Sequence, residues 1–542
     1  MRPGRLSIAF VLLAALACSH ESILPEQTAS PRLRSIELKA QSVVLSPNGS
    51  AELYFSVKDP DYVIPELRLQ TGSGANPAHF RLTGFTRTAG AGLYVATLTD
   101  AGTGEIYMEQ ACLTVVQKDA GTGNEALFPS DYFTVRSEQQ YPGPALETGL
   151  PVVYVDTDDG QAVTSKDIWK AAGLYIRGTE AYPGLPQVLS CEIRGRGNTT
   201  WTWPKKPYAL KLEERTSILG LPKHKRWVLL ANFMDRTLMR NLVSMHVASL
   251  TNLAWSPHCV PVELVLNGKH QGSYLLIEQV RIDKNRVDIA ELTPEDNSGD
   301  AVTGGYLLEL DFHFDNEFQW TDPHGSCWQM GGKIPFAVKS PDAQDLTDAQ
   351  KTYIKKYISD VASVLYGEGF TDPENGYARY LDVDSFIDYW IVFEVMCNHE
   401  LSNPGSVFFH KDRGGKLTAG PVWDFDWGVL SFYTSGGRTG LVNGEAIWYA
   451  RLMQDPAFKA RLKARFLELL PQLQTIPAYM DQCEKRLEAS AALNFKMWNP
   501  ADDKSQNGGN IINGDENLSF HDAVTRLKSN YETHLKVIQQ KL

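Results

Sequence analysis

The segment Gly420-Pro-Val-Trp-Asp-Phe-Asp-Trp-Gly428 places two carboxylates, Asp424 and Asp426, among three large aromatic side chains. Acidic groups framed by aromatic rings are costly to bury unless another group compensates their charge. A divalent cation is a common compensation, because Mg²⁺ takes one or two carboxylates and leaves room for substrate phosphates. The segment therefore predicts a cation site with Asp424 and Asp426 as its ligands.

The residues that precede this segment indicate what the cation serves. A polar stretch, Asn398-His-Glu-Leu-Ser-Asn403, is followed by two strand patterns, 406–410 and 416–422. Protein kinases have the same order of polar loop, β-hairpin and Asp-Phe pair, and their loop carries a catalytic base and an Asn that contacts the metal. By this order we expect Glu400 to be the base and Asn403 to join the metal site.

Two blocks further upstream carry residues that suit phosphate binding. In Arg194-Gly-Arg-Gly-Asn-Thr-Thr200 the glycines allow a backbone to approach a ligand closely, and Arg196 and Asn198 can bind phosphate. This block is neither a Walker loop nor a full G-x-G-x-x-G, and alone it is more often a turn. A strand pattern over 208–212 turns Lys211 away from the apolar face, where it can reach a phosphate. A solvated strand face is the alternative for Lys211.

A helix and a hairpin lie between these blocks and the polar loop. The block that starts at Asn232 predicts a helix through about Leu250. This helix lacks a Glu to pair with Lys211, and Asp235 is the nearest substitute. Residues 262–280 predict a β-hairpin whose turn is Asn267-Gly268.

The ordered blocks resemble the spore-coat protein H (CotH) kinase family. The matching sequence segments are IRGRGNTTWTWPKKPYALKL (193–212), KRWVLLANFMDRTLMRN (225–241), VELVLNGKHQGSYLLIEQVRIDKNRV (262–287) and KLTAGPVWDFDWG (416–428). The resemblance covers about 150 to 440. It implies an atypical protein-kinase-like fold and Mg²⁺-dependent transfer of the γ-phosphate of ATP to protein Ser or Thr.

The resemblance also implies roles for single residues, with ATP and Mg²⁺ as cofactors. The family usually carries Asp at the position of the base, where this chain has Glu400. Either carboxylate accepts a hydroxyl proton when it is correctly placed. The other roles fall on Asp424 and Asp426 for the metal, with Asp424 as the direct ligand, on Lys211, Arg196 and Asn198 for the nucleotide phosphates, and on Glu278 for a position close to the nucleotide.

The N-terminus predicts export and a lipid anchor. Residues 1–18 combine two arginines, a short apolar run and Ala15-Leu16-Ala17-Cys18, which resembles a bacterial lipobox with Cys18 as the lipidated residue. The run is shorter than the roughly 20 residues of a membrane-spanning helix. An ordinary signal peptide with an unrelated Cys is the alternative. We expect a lipoprotein at the bacterial cell envelope or surface, with residues 19–32 as its tether.

The remaining chain predicts an α+β protein with two folded parts. Residues 33–138 alternate between apolar and polar positions with frequent turns, which predicts a small all-β domain of the Ig-like sandwich type. This domain has no catalytic grouping, so we expect a spacer or a module that contacts a glycan or a protein. Residues 148–542 form the kinase-like domain with a helical C-terminal part. Its patterns predict helices at 346–366, where Thr347 and Gln350 form a capping box, and at 519–541, with a loop at 499–516.

The length, net charge and cysteine spacing of the chain limit the functions that it can have. At 542 residues, two or three domains are expected. A net charge of −12 argues against a nucleic-acid partner, which would require a basic surface. The six cysteines after Cys18 lack zinc-site spacing. Oxidation and burial as free thiols both remain open for them.

Three rival functions compare differently with the motifs. A zinc protease is excluded, because the His399-Glu400 pair lacks the second His of H-E-x-x-H. The ordered blocks disfavour a glycosidase built on the Asp424 and Asp426 pair. The remaining alternative is a catalytically inactive surface adhesin or glycan-binding lipoprotein. Glu400 and the N-terminal domain favour it, whereas the aspartate pair and Lys211 favour a kinase that acts on an unidentified protein substrate.

Overall fold

The computed structural model describes residues 35–542, apart from 41, 72–74, 91, 104–106, 120, 138–145, 314–317, 326, 328–329, 432–438 and 503–512. The expected signal segment 1–18, with Cys18, and the expected tether 19–32 lie outside these described residues. The chain divides into two compact units, 1–139 and 140–542. Within the described part, no helix is both long and apolar enough to cross a membrane.

The first unit is built from β-strands that bury every second side chain, as in β6. One sheet has the order β1-β3-β6-β5, and the other has the order β2-β9-β7-β4 with β8 paired to β7. Phe55 and Leu98 of the first sheet share one hydrophobic cluster with Leu69 and Val115 of the second. The expected β-rich character is confirmed, and the Ig-like assignment stays a prediction. The strands are β1 (Ile36–Leu38), β2 (Ser42–Leu45), β3 (Ser50–Val57), β4 (Glu66–Thr71), β5 (Phe80–Arg87), β6 (Leu93–Asp100), β7 (Met108–Lys118), β8 (Glu125–Pro129) and β9 (Phe133–Ser137).

The second unit begins with a closed barrel of seven strands in the order β10-β11-β12-β13-β14-β16-β15. Parallel pairing of β10 with β15 closes it. The predicted hairpin is confirmed: Asn267 and Gly268 both have positive φ (49° and 72°), as a two-residue type I′ turn requires. The strands are β10 (Val152–Thr157), β11 (Lys170–Arg177), β12 (Leu189–Gly195), β13 (Tyr208–Thr216), β14 (His224–Leu230), β15 (Cys259–Leu266) and β16 (Lys269–Glu278).

A separate antiparallel sheet follows in the order β18-β19-β17-β20-β21. All five residues of β17 are buried, and so are all five of β20, which places these two strands in the middle of the sheet. The hairpin β20–β21 is the one predicted upstream of Asp424. The strands are β17 (Tyr306–Leu310), β18 (Phe318–Asp322), β19 (Ile334–Ser340), β20 (Val407–Lys411) and β21 (Leu417–Ala419).

Helices complete the second unit and confirm the mixed α and β class. The capping box is present: the Thr347 hydroxyl accepts a hydrogen bond from Gln350 N, and the Gln350 side chain accepts one from Thr347 N. The last helix begins after Ser519, close to the predicted start. The helices are α1 (Thr199–Thr202), α2 (Arg240–Ser249), α3 (Asp348–Tyr366), α4 (Val383–Val395), α5 (Tyr449–Leu452), α6 (Pro456–Leu473), α7 (Ile476–Met497) and α8 (Phe520–Lys541), with 3₁₀ turns at Ala301–Thr303, Tyr377–Arg379, His399–Leu401 and Pro500–Asp502.

One predicted helix begins later than expected. Residues 232–239 are not helical, and α2 starts at Arg240. The Asp235 carboxylate accepts hydrogen bonds from the backbone N–H groups of Thr237 (2.9 Å) and Arg240 (2.8 Å). An Asp side chain that competes for backbone N–H groups favours a turn over a helix. This turn places the N-terminal end of α2 beside the candidate site.

Candidate functional site

A cleft of about 790 Å³ lies in the second unit, and most of the sequence-predicted site residues line it. The barrel contributes the end of β12, the loop after it and the start of β13, and the second sheet contributes the end of β17. The polar loop and the aspartate segment complete the wall. The charged and amide side chains that line it are Lys166, Asp167, Arg194, Arg196, Asn198, Asn232, Gln279, Arg281, Glu309, Asp311, Lys339, Asp342, Glu400, Asn403, Asp424 and Asp426, together with His313.

The aspartate segment is fixed by its central aromatic residue. Phe425 is fully buried and packs on Phe393 of α4, with ring centroids 4.7 Å apart. Its backbone N–H donates to Asn241 Oδ1 at 2.8 Å. Because Phe425 is anchored in the core, its two neighbours, Asp424 and Asp426, point into the cleft. Asp424 has a φ of 64°, a left-handed conformation that Asp tolerates better than most residues.

The polar loop is tied directly to this segment, as its position in the sequence predicted. Asn398 Oδ1 accepts a hydrogen bond from Glu400 N at 2.9 Å, which holds the 3₁₀ turn that carries Glu400. Asn398 Nδ2 donates to the Asp424 carbonyl oxygen at 3.3 Å. In addition, Asn443 Nδ2 donates to the Asn398 carbonyl oxygen at 2.9 Å. These bonds fix the backbone that carries Glu400 relative to that of Asp424.

Three acidic side chains share this end of the cleft, and their pKa values are raised. Burial and the charges of the other two acids raise the pKa of Glu400 well above its usual range. Burial and the neighbouring Asp424 do the same for the pKa of Asp426. Burial raises the pKa of Asp424 as well, although Arg196 opposes that shift. The Glu400 Oε2 atom is enclosed and has no hydrogen-bond partner among the residues that the structure describes. Such a group of carboxyls lacks positive charge, which a bound cation would supply.

Arg196 is the basic side chain that faces these acids. Its guanidinium lies over the Trp423 ring, 5.3 Å from the centroid. Burial lowers the pKa of Arg196, and the charges of Asp424 and Glu309 oppose this. Asn198 also lines the cleft at an exposed position, and Lys166 Nζ donates to its Oδ1 at 3.3 Å. Arg196 and Asn198 therefore both line the cleft, and their role in phosphate binding stays a prediction.

Lys211 is not among the residues that line the cleft. Its Nζ pairs with Glu192 Oε2 at 2.7 Å, across the register that sets Glu192 opposite Lys211 on β12 and β13. Ala209, on the same side of β13, does line the cleft. Two residues along a strand span roughly 6.6 Å, and this distance carries Lys211 past the cleft wall. The expectation that it is free to reach a phosphate there is corrected.

Glu278 is also placed away from the cleft. Its carboxylate is fully buried, forms an ion pair with Arg286 and accepts a hydrogen bond from His258 N at 2.9 Å. The next residue, Gln279, lines the cleft. Successive residues of a strand point to opposite sides, so Glu278 faces the interior, where it has a structural partner. Glu278 is therefore not at the cleft surface, and its neighbour Gln279 is.

Asp235 does not pair with Lys211, because it is committed to a buried ion-pair network. Arg240 pairs with Asp235 and with Asp515, and all three side chains are buried. The guanidinium of Arg240 also donates through Nε to the Val429 carbonyl oxygen at 2.8 Å. The network therefore holds the residues just after the aspartate segment.

Sequence analysis missed Asn513, which lies within the stretch expected to be a loop. Asn513 is fully buried. Its Nδ2 donates to the carbonyl oxygens of Asp426 and Met234, both at 3.0 Å, and its Oδ1 accepts from Gly428 N at 2.9 Å. One side chain thus fixes the backbone on both sides of Trp427. No local pattern marks a contact between residues so far apart in the chain.

The donor set suits Mg²⁺, although it is not a complete metal cage. In the described part of the chain, no group of three or more His, Cys, Asp or Glu side chains has the spacing that holds a metal ion. Mg²⁺ usually takes one or two carboxylates and obtains its other ligands from water and substrate phosphates. Asp424 and Asp426 interact with each other through their side chains and supply those carboxylates. Asn403 lines the same cleft, and its Oδ1 accepts a hydrogen bond from Cys327 Sγ at 3.4 Å.

Comparison with known proteins gives one family. The family model described as CotH kinase protein matches residues 193–540, which is most of the second unit. No curated protein matches the chain. The matched range contains every candidate residue of the cleft from Arg194 to Asp426, as well as Asn513.

Proposed function

Since the chain belongs to the CotH kinase protein family, we propose that it transfers the γ-phosphate of ATP to a Ser or Thr hydroxyl of a protein in a Mg²⁺-dependent reaction. The observation that carries the proposal is the meeting of Glu400, Asp424 and Asp426 opposite Arg196 in one cleft. Phosphoryl transfer relies on positioning and on charge stabilisation, and these four groups supply both.

Asp424 and Asp426 would hold Mg²⁺. Bound Mg²⁺ neutralises phosphate charge and draws the two carboxylates into their ionised form. Arg196 is placed to donate charge-assisted hydrogen bonds to phosphate oxygens on the side of the cleft that faces Asp424. The aromatic rings of Trp423 and Phe425 exclude water from the floor beneath the carboxylates. Asn403 provides a further neutral oxygen at the same end.

Glu400 would accept the proton of the attacking hydroxyl. Its carboxylate reaches the cleft next to the two aspartates, and its backbone is fixed through Asn398. Glu400 lines the cleft, and its carboxylate has acceptor capacity that the described residues do not use. A carboxylate base in this position fits a protein kinase, because the base has to approach the hydroxyl while the aspartates retain the metal.

The setting of the reaction is proposed from the sequence. The lipobox-like segment that ends in Cys18 supports export and anchorage by lipid at the bacterial envelope. The N-terminal β unit would then be an Ig-like module that contacts a glycan or a protein. A net charge of −12 favours a protein acceptor over a nucleic acid.

Incubation of the full chain with Mg²⁺ and γ-labelled ATP tests the proposal. Acceptor protein is supplied as an extract of envelope proteins, and label incorporation is measured for the wild type, Asp424→Asn and the matched exposed control Asp345→Asn. We expect label with the wild type and the control, and loss of label with Asp424→Asn. Failure of the wild type to label any protein, together with no stabilisation by ATP and Mg²⁺, would refute it.

A further inference from the structure

Trp169 is surrounded by cationic side chains beside the cleft. The guanidinium of Arg194 lies 4.6 Å from the Trp169 ring centroid and that of Arg226 lies 5.1 Å from it. Lys211 Nζ is 6.0 Å from the same centroid, but Glu192 neutralises it. Arg194 lines the cleft, and so does Arg281. The cleft therefore has a basic region as well as the acidic end at Asp424.

The three arginines of this region are partly buried and, within the described residues, have no carboxylate partner. In the described part of the chain, Arg194, Arg226 and Arg281 form no ion pair within 4 Å of a carboxylate. The Nε atoms of Arg194 and Arg281 are enclosed and make no hydrogen bond. An enclosed donor without a partner is costly, because it has lost water and gained nothing in return. An anion that reaches these guanidinium groups from the cleft would offset this cost by pairing with their positive charge.

The arginines also repel one another. Burial lowers the pKa of Arg226, and the charges of Arg281 and Arg194 lower it further. Burial likewise lowers the pKa of Arg281, where Asp342 is the acid that opposes the shift. Asp342 and Glu192 are the acids that oppose this charge, and Glu192 is already paired with Lys211. The excess positive charge at the cleft wall is suited to an anion with several charges.

We propose that Arg194, Arg281 and the supporting Arg226 form a second anion subsite, which binds the part of a phosphate chain that is remote from the metal. The chemical class is an inorganic polyphosphate or the polyphosphate chain of a nucleotide. Arg196 connects the two ends of the cleft, since its charge interacts with both Asp424 and Arg194. A phosphate chain would thus extend from the carboxylates, past Arg196, to the arginines.

The identity of the natural ligand rests on the proposed function, whereas the subsite itself does not. The two ends of the cleft differ in sign, so phosphate binding at the arginines requires no metal. The arginine subsite replaces the phosphate-binding role that the sequence assigned to Lys211.

Calorimetric titration of the full chain with inorganic tripolyphosphate in EDTA tests the subsite. We expect metal-free binding by the wild type and by the control Lys223→Gln, which removes an exposed charge near β14. Arg194→Gln and Arg281→Gln should each weaken binding about tenfold or more, the effect of one lost charge-assisted hydrogen bond. Adenosine, which lacks phosphate, should show no dependence on these arginines. Denaturant unfolding of each variant identifies any that fails to fold, and such a variant is replaced by the lysine substitution at the same position.

The outcomes separate this inference from the proposed function. Absence of tripolyphosphate binding by the wild type, or equal affinity in Arg194→Gln, Arg281→Gln and Lys223→Gln, overturns the subsite even when phosphotransfer is observed. Metal-free binding that depends on the two arginines supports the subsite even when no protein is labelled by ATP. In that case only the phosphotransfer reaction is refuted.

Discussion

Asp426→Asn is predicted to stabilise the metal-free protein while it removes the response to Mg²⁺. The pKa of Asp426 is raised by burial and by Asp424. A carboxyl whose pKa is higher in the folded than in the unfolded state costs stability at every pH above its unfolded value, and the cost grows as the pH rises toward the folded pKa. Asn keeps the shape and still donates a hydrogen bond to Asp424, but it carries no such cost.

The size of the stabilisation by Asp426→Asn is limited by the difference between the usual Asp pKa of 3.8 and the pH of the experiment. At pH 7 this difference limits the gain in the free energy of unfolding to about 4 kcal/mol, at roughly 1.4 kcal/mol for each pKa unit. The stabilisation should lie below this limit, because the surrounding structure relaxes around the charge. The wild type should gain about 2.7 kcal/mol from Mg²⁺ at one hundred times its dissociation constant, and Asp426→Asn should gain much less.

Denaturant unfolding at pH 7, in EDTA and in Mg²⁺, measures both effects. Asp283→Asn is a matched control of opposite sign, because the Arg215 guanidinium lowers the pKa of Asp283 to about 2. Its loss should cost about 2 kcal/mol and leave the response to Mg²⁺ unchanged. If Asp426→Asn is less stable than the wild type in EDTA, or if it gains as much from Mg²⁺, the cation-site argument is wrong.

Glu400→Gln should lower the rate of phosphotransfer about 10²-fold to 10⁴-fold with little change in the KM for ATP, whereas Glu400→Asp should retain more activity. Steady-state kinetics measure both variants, and an unchanged rate in Glu400→Gln would exclude Glu400 as the base. Asn513→Ala removes three hydrogen bonds to backbone groups, so it should destabilise the protein by about 1–3 kcal/mol and raise the Mg²⁺ concentration needed for activity. The exposed Asn517→Ala is its control, and equal Mg²⁺ titrations of the two would contradict the positioning role. Burial lowers the pKa of His224 to about 4, whereas the usual His pKa of 6.5 applies in the unfolded chain. Between pH 6.5 and pH 4 the unfolded chain therefore binds a proton that the folded protein does not bind. The free energy of unfolding should fall by up to about 3 kcal/mol over this range. Acid unfolding followed by circular dichroism should show a smaller loss in His224→Gln, and parallel curves for the two proteins would contradict this.

The parts of the fold that sequence analysis predicted carry local signals. Thr347 and Gln350 define their own helix start, and Asn267-Gly268 defines its own turn. The meeting of Glu400 with the aspartate segment was also predictable, because the hairpin that joins them returns the chain to the same end of the sheet.

The parts that were missed depend on contacts over long sequence distances. Asn513 reaches Met234, and Arg240 reaches Asp515, through pairings that no spacing in the sequence encodes. Lys211 was assigned to the correct side of its strand but lies beyond the cleft, since the register with Glu192 is set by the closed barrel. Side-chain alternation predicts the face of the strand on which a residue lies. Only the tertiary fold determines where along the strand the cleft ends.

The claim on which the account depends is that Asp424 and Asp426 together hold one divalent cation. Titration of the metal-free protein with Mn²⁺, followed by electron paramagnetic resonance, counts bound ions directly because the signal of the free ion is lost on binding. The account predicts one bound ion for the wild type and for Asp345→Asn, with binding severely weakened in both Asp424→Asn and Asp426→Asn. Equal binding by the wild type and these two variants, or no binding by the wild type in the presence of ATP, would contradict it.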